Sequence, residues 1–514
     1  MDTTSYWADS KGLPSFGTLK ENSQVDVVIV GAGITGATAA FLLKKAGYTV
    51  ALVERGTCGG FDTINTTAHL TCVTDKPLHK LVATFGKEAA QATWEAGRTA
   101  IDQIVANIRA ESIECEFKWV PGYYHAPSKG YDKAERDSLR EDARIADELG
   151  FPAEFMESIP WIEMPGVQFS HQAKFHPAKY VAALLRTIPG RGSHVFEKTE
   201  AGKIDEEPLA VHCGEHKRIR CRYVILATHT PLMGKTNTLS ATLLQTKLFL
   251  YTSYAVGAKI PEDLAPEACF WDTDEPYHYF RIDRRHGFDF AIFGGEVHKT
   301  GQVTDSSKAY ERLERTLGKL MPKARVTHRW SGQVVATPDG LPYMGETADR
   351  QFVATGFGGN GMTFGTLGAM MAVDAFLKRK NPWAELFDVH RRKLIGGTFQ
   401  YLKENKDYPY FMLRDWLGGA EGKSLKAIKR NHGKILHLNG RKVAAYRNAF
   451  GKVTLCSPVC THLKCIVAWN DAESTWDCPC HGSRFAATGE VLAGPVEEPL
   501  EKLEAEPVGR EINA

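Results

Sequence analysis

The sequence predicts an α/β protein with a mixed β-sheet domain interleaved into it and a small all-β domain behind it. Three observations carry that prediction. A short apolar run, Val25 to Val30, leads into a glycine-rich turn, a helix-like stretch to about Ala46 and a second run ending at Val53, which is the order of a β-α-β unit. From about residue 194 to 300 short apolar and alternating runs dominate (RYVILATH, FLYTSYAV, FDFAIFGG), the pattern of strands. From residue 433 onward, short alternating runs (KILHLNG, KVAAYRN, GKVTLC) are separated by glycine turns, as in a small β module.

At 514 residues the chain exceeds one ordinary core, so two or three domains are expected. Hydrophobic content of 43% and charged content of 24% fit a soluble globular protein. A formal charge of +2 gives no global pull toward nucleic acid or an anionic membrane. Met1 to Phe16 lacks a basic region followed by an apolar one, and no run of 18 apolar residues occurs, so neither a Sec signal nor a membrane span is expected. Cys58, Cys72, Cys115, Cys213, Cys221 and Cys269 are scattered singly. They read as reduced core thiols, which suits a cytoplasmic protein.

Residues 85–112, 131–149 and 308–320 read as helices, and Trp330 to Phe376 as a glycine-rich turn, a short strand and a helix. Residues 403–432 are polar, basic and broken by glycines, which suits a linker. The expected division is therefore 1–402, 403–432 and 433–514.

The turn after the first strand is Gly31-Ala32-Gly33-Ile34-Thr35-Gly36, and Glu54, followed by Arg55, ends the second strand. Glycines there permit a tight turn and close approach of backbone to a pyrophosphate, the helix N-terminus faces the anion, and the acid accepts ribose hydroxyls. Far downstream, Trp330-Ser-Gly-Gln-Val-Val-Ala-Thr-Pro-Asp-Gly-Leu-Pro-Tyr-Met-Gly345 precedes Val353-Ala-Thr-Gly-Phe-Gly-Gly-Asn-Gly-Met-Thr-Phe-Gly365. This pairing resembles the D-amino-acid oxidase-like flavoproteins, over roughly residues 25–380. The resemblance implies a Rossmann-type FAD domain, with dinucleotide-binding parts near 25–80, 190–232 and 330–380, and an interleaved substrate domain. It places Gly358, Gly359, Asn360, Gly361 and Met362 at the flavin, with a helix N-terminus toward isoalloxazine O2, and brings Thr228 past the cofactor. No second glycine fingerprint for NAD and no redox cysteine pair accompanies it, so electrons are expected from an organic substrate.

Thr66-Thr67-Ala68-His69 resembles the Thr-Thr-Trp-His stretch of dimethylglycine dehydrogenase-like flavoproteins. There the histidine is bonded to the flavin 8α-methyl; the alternative is a histidine that only lines the flavin edge. In the strand Tyr277-His-Tyr279-Phe-Arg281, the period of two puts Tyr277, Tyr279 and Arg281 on one face. The resemblance makes that region the substrate pocket, where an arginine pairs a carboxylate; a structural ion pair is the other reading. Tyr251 and His229 are further pocket candidates.

The remaining cysteines lie in Cys460-Thr-His462-Leu-Lys-Cys465 and Cys478-Pro-Cys480-His481-Gly-Ser483, with Cys456 just ahead. Cys-x-His followed by Cys-x-x-His is the Rieske pattern, with two thiolates on one iron and two imidazoles on the other. A structural zinc site has no use for the two additional cysteines or for the Cys-Pro-Cys-His-Gly-Ser run. The Rieske resemblance implies a disulfide between Cys465 and Cys480, a serine hydroxyl of Ser483 donating to a cluster sulfur, and a covering loop at Gly494-Pro495. Lys464 departs from the usual glycine, and Phe485 from the tyrosine of high-potential members.

As a whole, the chain resembles bacterial fusions of such a flavoprotein with a C-terminal Rieske domain. The implied activity is oxidation of an amine or amino acid at its C–N bond, with hydride passing to FAD and imine hydrolysis following. Electrons then pass singly through one 2Fe–2S cluster to an external acceptor, a protein or quinone. The alternative is an electron-transfer or redox-sensing module without small-molecule turnover.

Overall fold

The computed structural model describes residues 4–9, 12–214, 216–230, 244, 247–303, 305–391, 410, 411, 414, 416, 418 and 420–503. The chain divides into two compact units. The first comprises residues 1–248, 252–297 and 310–401, and the second residues 249–251, 298–309 and 402–514.

The first unit is built around β1 (Val27–Val30), α1 (Ile34–Lys45) and β2 (Val50–Val53). All eight strand residues are buried, because a parallel strand covered on both faces needs apolar side chains on both. The pair sits inside a six-stranded sheet ordered 343–348, 351–355, 223–226, β1, β2, 194–196. The pairings of 223–226 with β1, β1 with β2, and β2 with 194–196 are parallel. A nine-stranded mixed sheet runs 325–336, 249–260, 289–299, 279–284, 269–272, 118–125, 166–174, 69–70, with 153–156 paired to 166–174. The chain crosses between these sheets several times, which is the interleaving expected from the sequence. The helix Gly361–Phe376 packs on α1, and Gly365 allows it: a Cβ there would lie 2.8 Å from Thr35 Oγ1.

The helix anticipated over 85–112 is Lys87–Glu111, and a separate helix, Leu78–Phe85, precedes it; Gly86 between them has φ 87°, a conformation that glycine adopts freely and that ends a helix. One boundary differs from expectation. The linker anticipated over 403–432 is shorter at its C-terminal end; residues 403–409 lie outside the described residues. Glu421 N donates to Ile435 O at 2.8 Å and His437 N to Gly422 O at 2.9 Å, while Ile428 is buried. Residues 420–431 therefore belong to the β-rich unit, which their backbone donors and Ile428 help to close.

The second unit carries two four-stranded antiparallel sheets. One is ordered 432–438, 441–447, 453–456, 502–503, and the other 468–470, 475–477, 484–486, 491–493. Their shared core includes Trp476 and Phe485, both 0% exposed, with Cys460 and Cys478.

A nucleotide cradle and a two-cysteine, two-histidine loop pair

The turn after β1 is shaped by contacts that only glycine permits. Gly31 has φ 97°, and a Cβ there would meet Ala227 O at 2.5 Å; at Gly36 it would meet Gly31 O at 1.9 Å, and at Gly33 Thr63 Oγ1 at 2.9 Å. Thr63 Oγ1 accepts from Ile34 N at 3.1 Å. Glu54 accepts from Ala32 N at 3.0 Å and Gly56 N at 2.8 Å, which holds the carboxylate at the turn, while Arg55 is exposed. The residues fit FAD: a Cβ-free turn, an acid at the second strand end and a helix N-terminus without a side-chain cap. The second helix, Gly361–Phe376, also starts uncapped by a side chain, and space opens beside Gly361.

Asn360 faces elsewhere. Its amide donates to Thr71 O at 3.2 Å and Val73 O at 2.9 Å, so it pins the 71–73 segment to the helix start. Met362 is buried beneath. Thr228 Oγ1 donates to Thr230 O at 2.6 Å, and His229 Nδ1 lies 2.8 Å from Asp62 Oδ2. Thr66 Oγ1 accepts from Ala68 N at 2.9 Å.

His69 is held by both ring nitrogens. Nε2 lies 3.2 Å from Phe280 O and so carries the proton; Nδ1, 3.1 Å from Thr67 Oγ1, accepts from that hydroxyl. Burial pushes its pKa down to about 4, with the nearby Arg281 charge contributing, so the ring is neutral.

Arg281 corrects the sequence reading. It is 2% exposed, and Nε and Nη2 reach the two oxygens of Asp283 at 3.1 and 2.8 Å. Nη1 donates to Ala68 O at 2.7 Å, Phe175 O at 3.1 Å and Thr67 O at 3.3 Å. Its donors are engaged by the chain itself, so it braces the 66–69 segment and does not anchor a substrate carboxylate. Tyr277 precedes the strand that begins at Tyr279; the rings lie 5.5 Å apart, and Tyr279 Oη is 2.8 Å from Ser253 Oγ. Tyr251 falls within the second unit. The residue that sequence reasoning missed is Asp75, whose Oδ2 accepts from Gly359 N at 2.6 Å. A lone acid in Thr71-Cys-Val-Thr-Asp75 has no spacing or partner in sequence to mark it.

In the second unit, two loops of similar construction face each other. Cys460 N donates to Cys465 O at 2.7 Å and Lys464 N to Cys460 O at 3.1 Å; Cys478 N donates to Ser483 O at 2.7 Å and Gly482 N to Cys478 O at 2.9 Å. Cys465 and Cys480 are joined by a disulfide. That leaves Cys460 and Cys478 as the buried free thiols of the loops. They hydrogen-bond to one another, which lowers the pKa of Cys460 and raises that of Cys478. The His462 and His481 rings are 4.9 Å apart, and burial pushes their pKa values down to about 3 and 4, the neutral form that ligates metal. His462 Nδ1 is buried without a hydrogen-bond partner in the protein, and the buried Ser483 hydroxyl lies against the Cys460 thiol. An orphaned imidazole nitrogen beside two thiols and a hydroxyl fits a 2Fe–2S cluster: two sulfurs, two imidazoles and a hydroxyl donor for a cluster sulfur. Thr461 Oγ1 donates to Glu498 O at 2.7 Å, tying the covering loop after Pro495 to the first cluster loop.

Fold and sites together define a flavin-dependent oxidoreductase unit followed by a Rieske iron–sulfur unit. Residues 26–375 match the FAD dependent oxidoreductase family and residues 422–504 the Rieske [2Fe-2S] domain family. The chain belongs to the D-amino-acid oxidase-like FAD-dependent oxidoreductases, and within them it carries a C-terminal Rieske domain. It is 32% identical over 507 residues, 97% of each chain, to the putative Rieske 2Fe-2S iron-sulfur protein YhfW of Bacillus subtilis. It is 22% identical over 433 residues to the γ-glutamylputrescine oxidoreductase of Escherichia coli, spanning 81% of this chain and 99% of that one. Among solved structures, glycine oxidase from Geobacillus kaustophilus matches 72% of this chain and 100% of its own at a TM-score of 0.59 and 20% identity. The enzyme uses FAD and one Rieske 2Fe–2S cluster. No helix among the described residues is long and apolar enough to cross a membrane.

Proposed function

We propose that the enzyme oxidises the C–N bond of an amine or amino acid and passes the electrons through its cluster to an external one-electron acceptor, a protein or quinone. The observation that carries this reading is the coexistence, in one chain, of an FAD cradle and a complete two-cysteine, two-histidine loop pair. Bound FAD supplies acceptance of a hydride from a carbon next to nitrogen, and the cluster supplies one-electron transfer. A two-electron acceptor joined to a one-electron carrier favours a dehydrogenase over an oxidase.

The chain's own groups support the chemistry. Glu54 would accept ribose hydroxyls of bound FAD, and the α1 N-terminus would face its pyrophosphate. The first-turn amides of the Gly361–Phe376 helix stabilise negative charge that develops beside them. His69, neutral and held between Thr67 and Phe280, lines the site without adding charge. Ser483 would donate to a cluster sulfur. The relatives named for amine and amino-acid substrates support this substrate class. Free thiols at Cys58, Cys72, Cys115, Cys213, Cys221 and Cys269 support placement in the cytoplasm.

The test is anaerobic mixing of the holoenzyme with a panel of amines and amino acids, with flavin and cluster absorbance followed together. At least one amine compound bleaches the flavin; if none does, the protein is an electron-transfer module without turnover and the reading fails.

A further inference from the structure

One wall of the first unit combines a carboxylate with aromatic rings and has its cations neutralised. Asp75 accepts from Gly359 N at 2.6 Å and from the Tyr277 hydroxyl. The Tyr277 ring lies 5.5 Å from Tyr279, and Tyr279 lies edge-on to His69 at 5.9 Å. Asp75 is exposed, and Tyr277, Tyr279 and His69 are half-buried, so the carboxylate is open to a ligand and the rings form the wall beside it.

The neighbouring cations are already paired. Arg281 is engaged by Asp283 and three carbonyls, and Lys174 by Asp283 at 2.5 Å, Glu267 at 2.9 Å and Ile282 O at 2.7 Å. The hydrogen-bond partners of Asp75 are neutral, an amide and a phenol, so among the described residues no cation pairs its carboxylate. Gly358 and Gly359 make room for it: a Cβ at these positions would lie 2.8 and 2.7 Å from its oxygens. A site with one carboxylate and two tyrosine rings tilted 43° to each other suits an ammonium, which gains from both charge and ring quadrupole, and the nearest cations that could hold a substrate carboxylate are already paired.

We propose that Asp75, Tyr277 and Tyr279 form the subsite for the substrate's ammonium group, and that the enzyme selects cationic amines over compounds that need a carboxylate anchor. This rests on the reading of the protein as an amine-oxidising flavoenzyme and narrows its substrate class.

The test uses ligands that cannot be oxidised, so its outcome stands apart from whether any amine reduces the flavin. The oxidised holoenzyme is titrated with benzyltrimethylammonium, and separately with benzoate, by flavin difference spectroscopy. The quaternary ammonium perturbs the flavin spectrum saturably and benzoate binds at least about tenfold more weakly. Asp75→Asn, which keeps an acceptor for Gly359, weakens the cation by about tenfold or more at unchanged flavin content. The wild-type comparison decides even if that variant loses its FAD. Absence of cation binding, equal or tighter binding of benzoate, or an Asp75→Asn holoenzyme with undiminished cation affinity each overturns the proposal.

Discussion

Lys464 and Gly482 hold equivalent places in the two cluster loops. Each lies four residues after a ligand cysteine, each donates its amide to that cysteine's carbonyl, and each is left-handed, with φ 62° and 72°. The glycine that Rieske loops usually carry at 464 is thus explained by backbone geometry, and this chain tolerates a lysine in the same conformation.

The two positions differ in their surroundings, which gives an asymmetric prediction. A Cβ at Gly482 would lie 2.5 Å from Leu250 Cβ and 3.3 Å from Thr300 Cβ, whereas Lys464 is exposed. Gly482→Ala is expected to lose cluster and about 2–3 kcal/mol of stability, from overpacking and left-handed strain together. Lys464→Gly should change stability by no more than about 1 kcal/mol and keep its iron. Iron content and thermal unfolding of the two variants check this; equal losses would remove the packing argument.

The hydrogen bonds to the cluster predict shifts of opposite sign. Ser483 is 0% exposed with its hydroxyl beside the Cys460 thiol, and Phe485 is likewise fully buried. A hydrogen bond of about 1 kcal/mol that favours the reduced cluster corresponds to roughly 40 mV for one electron. Ser483→Ala should lower the potential by about that amount and Phe485→Tyr raise it by a similar amount. Protein-film voltammetry reads both, and a Phe485→Tyr potential at or below wild type would mean that its hydroxyl misses the cluster.

Arg281→Met should act on stability first. Removing the guanidinium leaves Asp283 with Lys174 and, at 3.9 Å, Arg285, and three carbonyls without their donor. The expected loss is about 3 kcal/mol, and Arg281→Met/Asp283→Asn should recover part of it because the unpaired charge goes too. Urea unfolding measures both; an unchanged midpoint for the single variant would contradict the bracing role.

His69 bears on two measurements. With both ring nitrogens hydrogen-bonded, acid precipitation should release all yellow fluorescence to the supernatant; fluorescence kept in the pellet would establish a covalent link. Its folded pKa of about 4 lies below the unfolded value near 6.5. The native state therefore resists protonation, and stability is undiminished above pH 6.5 and falls as pH drops from about 6.5 to 4. The full difference is about 3 kcal/mol, and His69→Gln should flatten that part of the pH profile.

Legibility in the sequence followed the strictness of the chemistry. The turn at Gly31, Gly33 and Gly36 was readable because no other residue survives contacts as short as 1.9 Å. The loops at 460–465 and 478–483 were readable because iron accepts few ligand types at few spacings. The pocket was less so. The period of two put Tyr279 and Arg281 on one face, but Asp283, on that same face two residues further, takes the guanidinium. Asp75 was invisible because its partners, Gly359 and Tyr277, are brought to it from more than 200 residues away. Residues 420–431 read as a linker because their contribution is through backbone donors, which composition does not show.

The most direct test of the account is electron flow within one chain. Anaerobic holoenzyme is mixed with the amine that bleaches its flavin, frozen at intervals and examined by EPR at the Rieske signal. The account predicts that the reduced-cluster signal grows in with flavin reduction, with no mediator present, and is abolished by Cys460→Ser. A flavin that is fully reduced beside a cluster that stays oxidised, or loops that hold stoichiometric zinc and no iron, would contradict it.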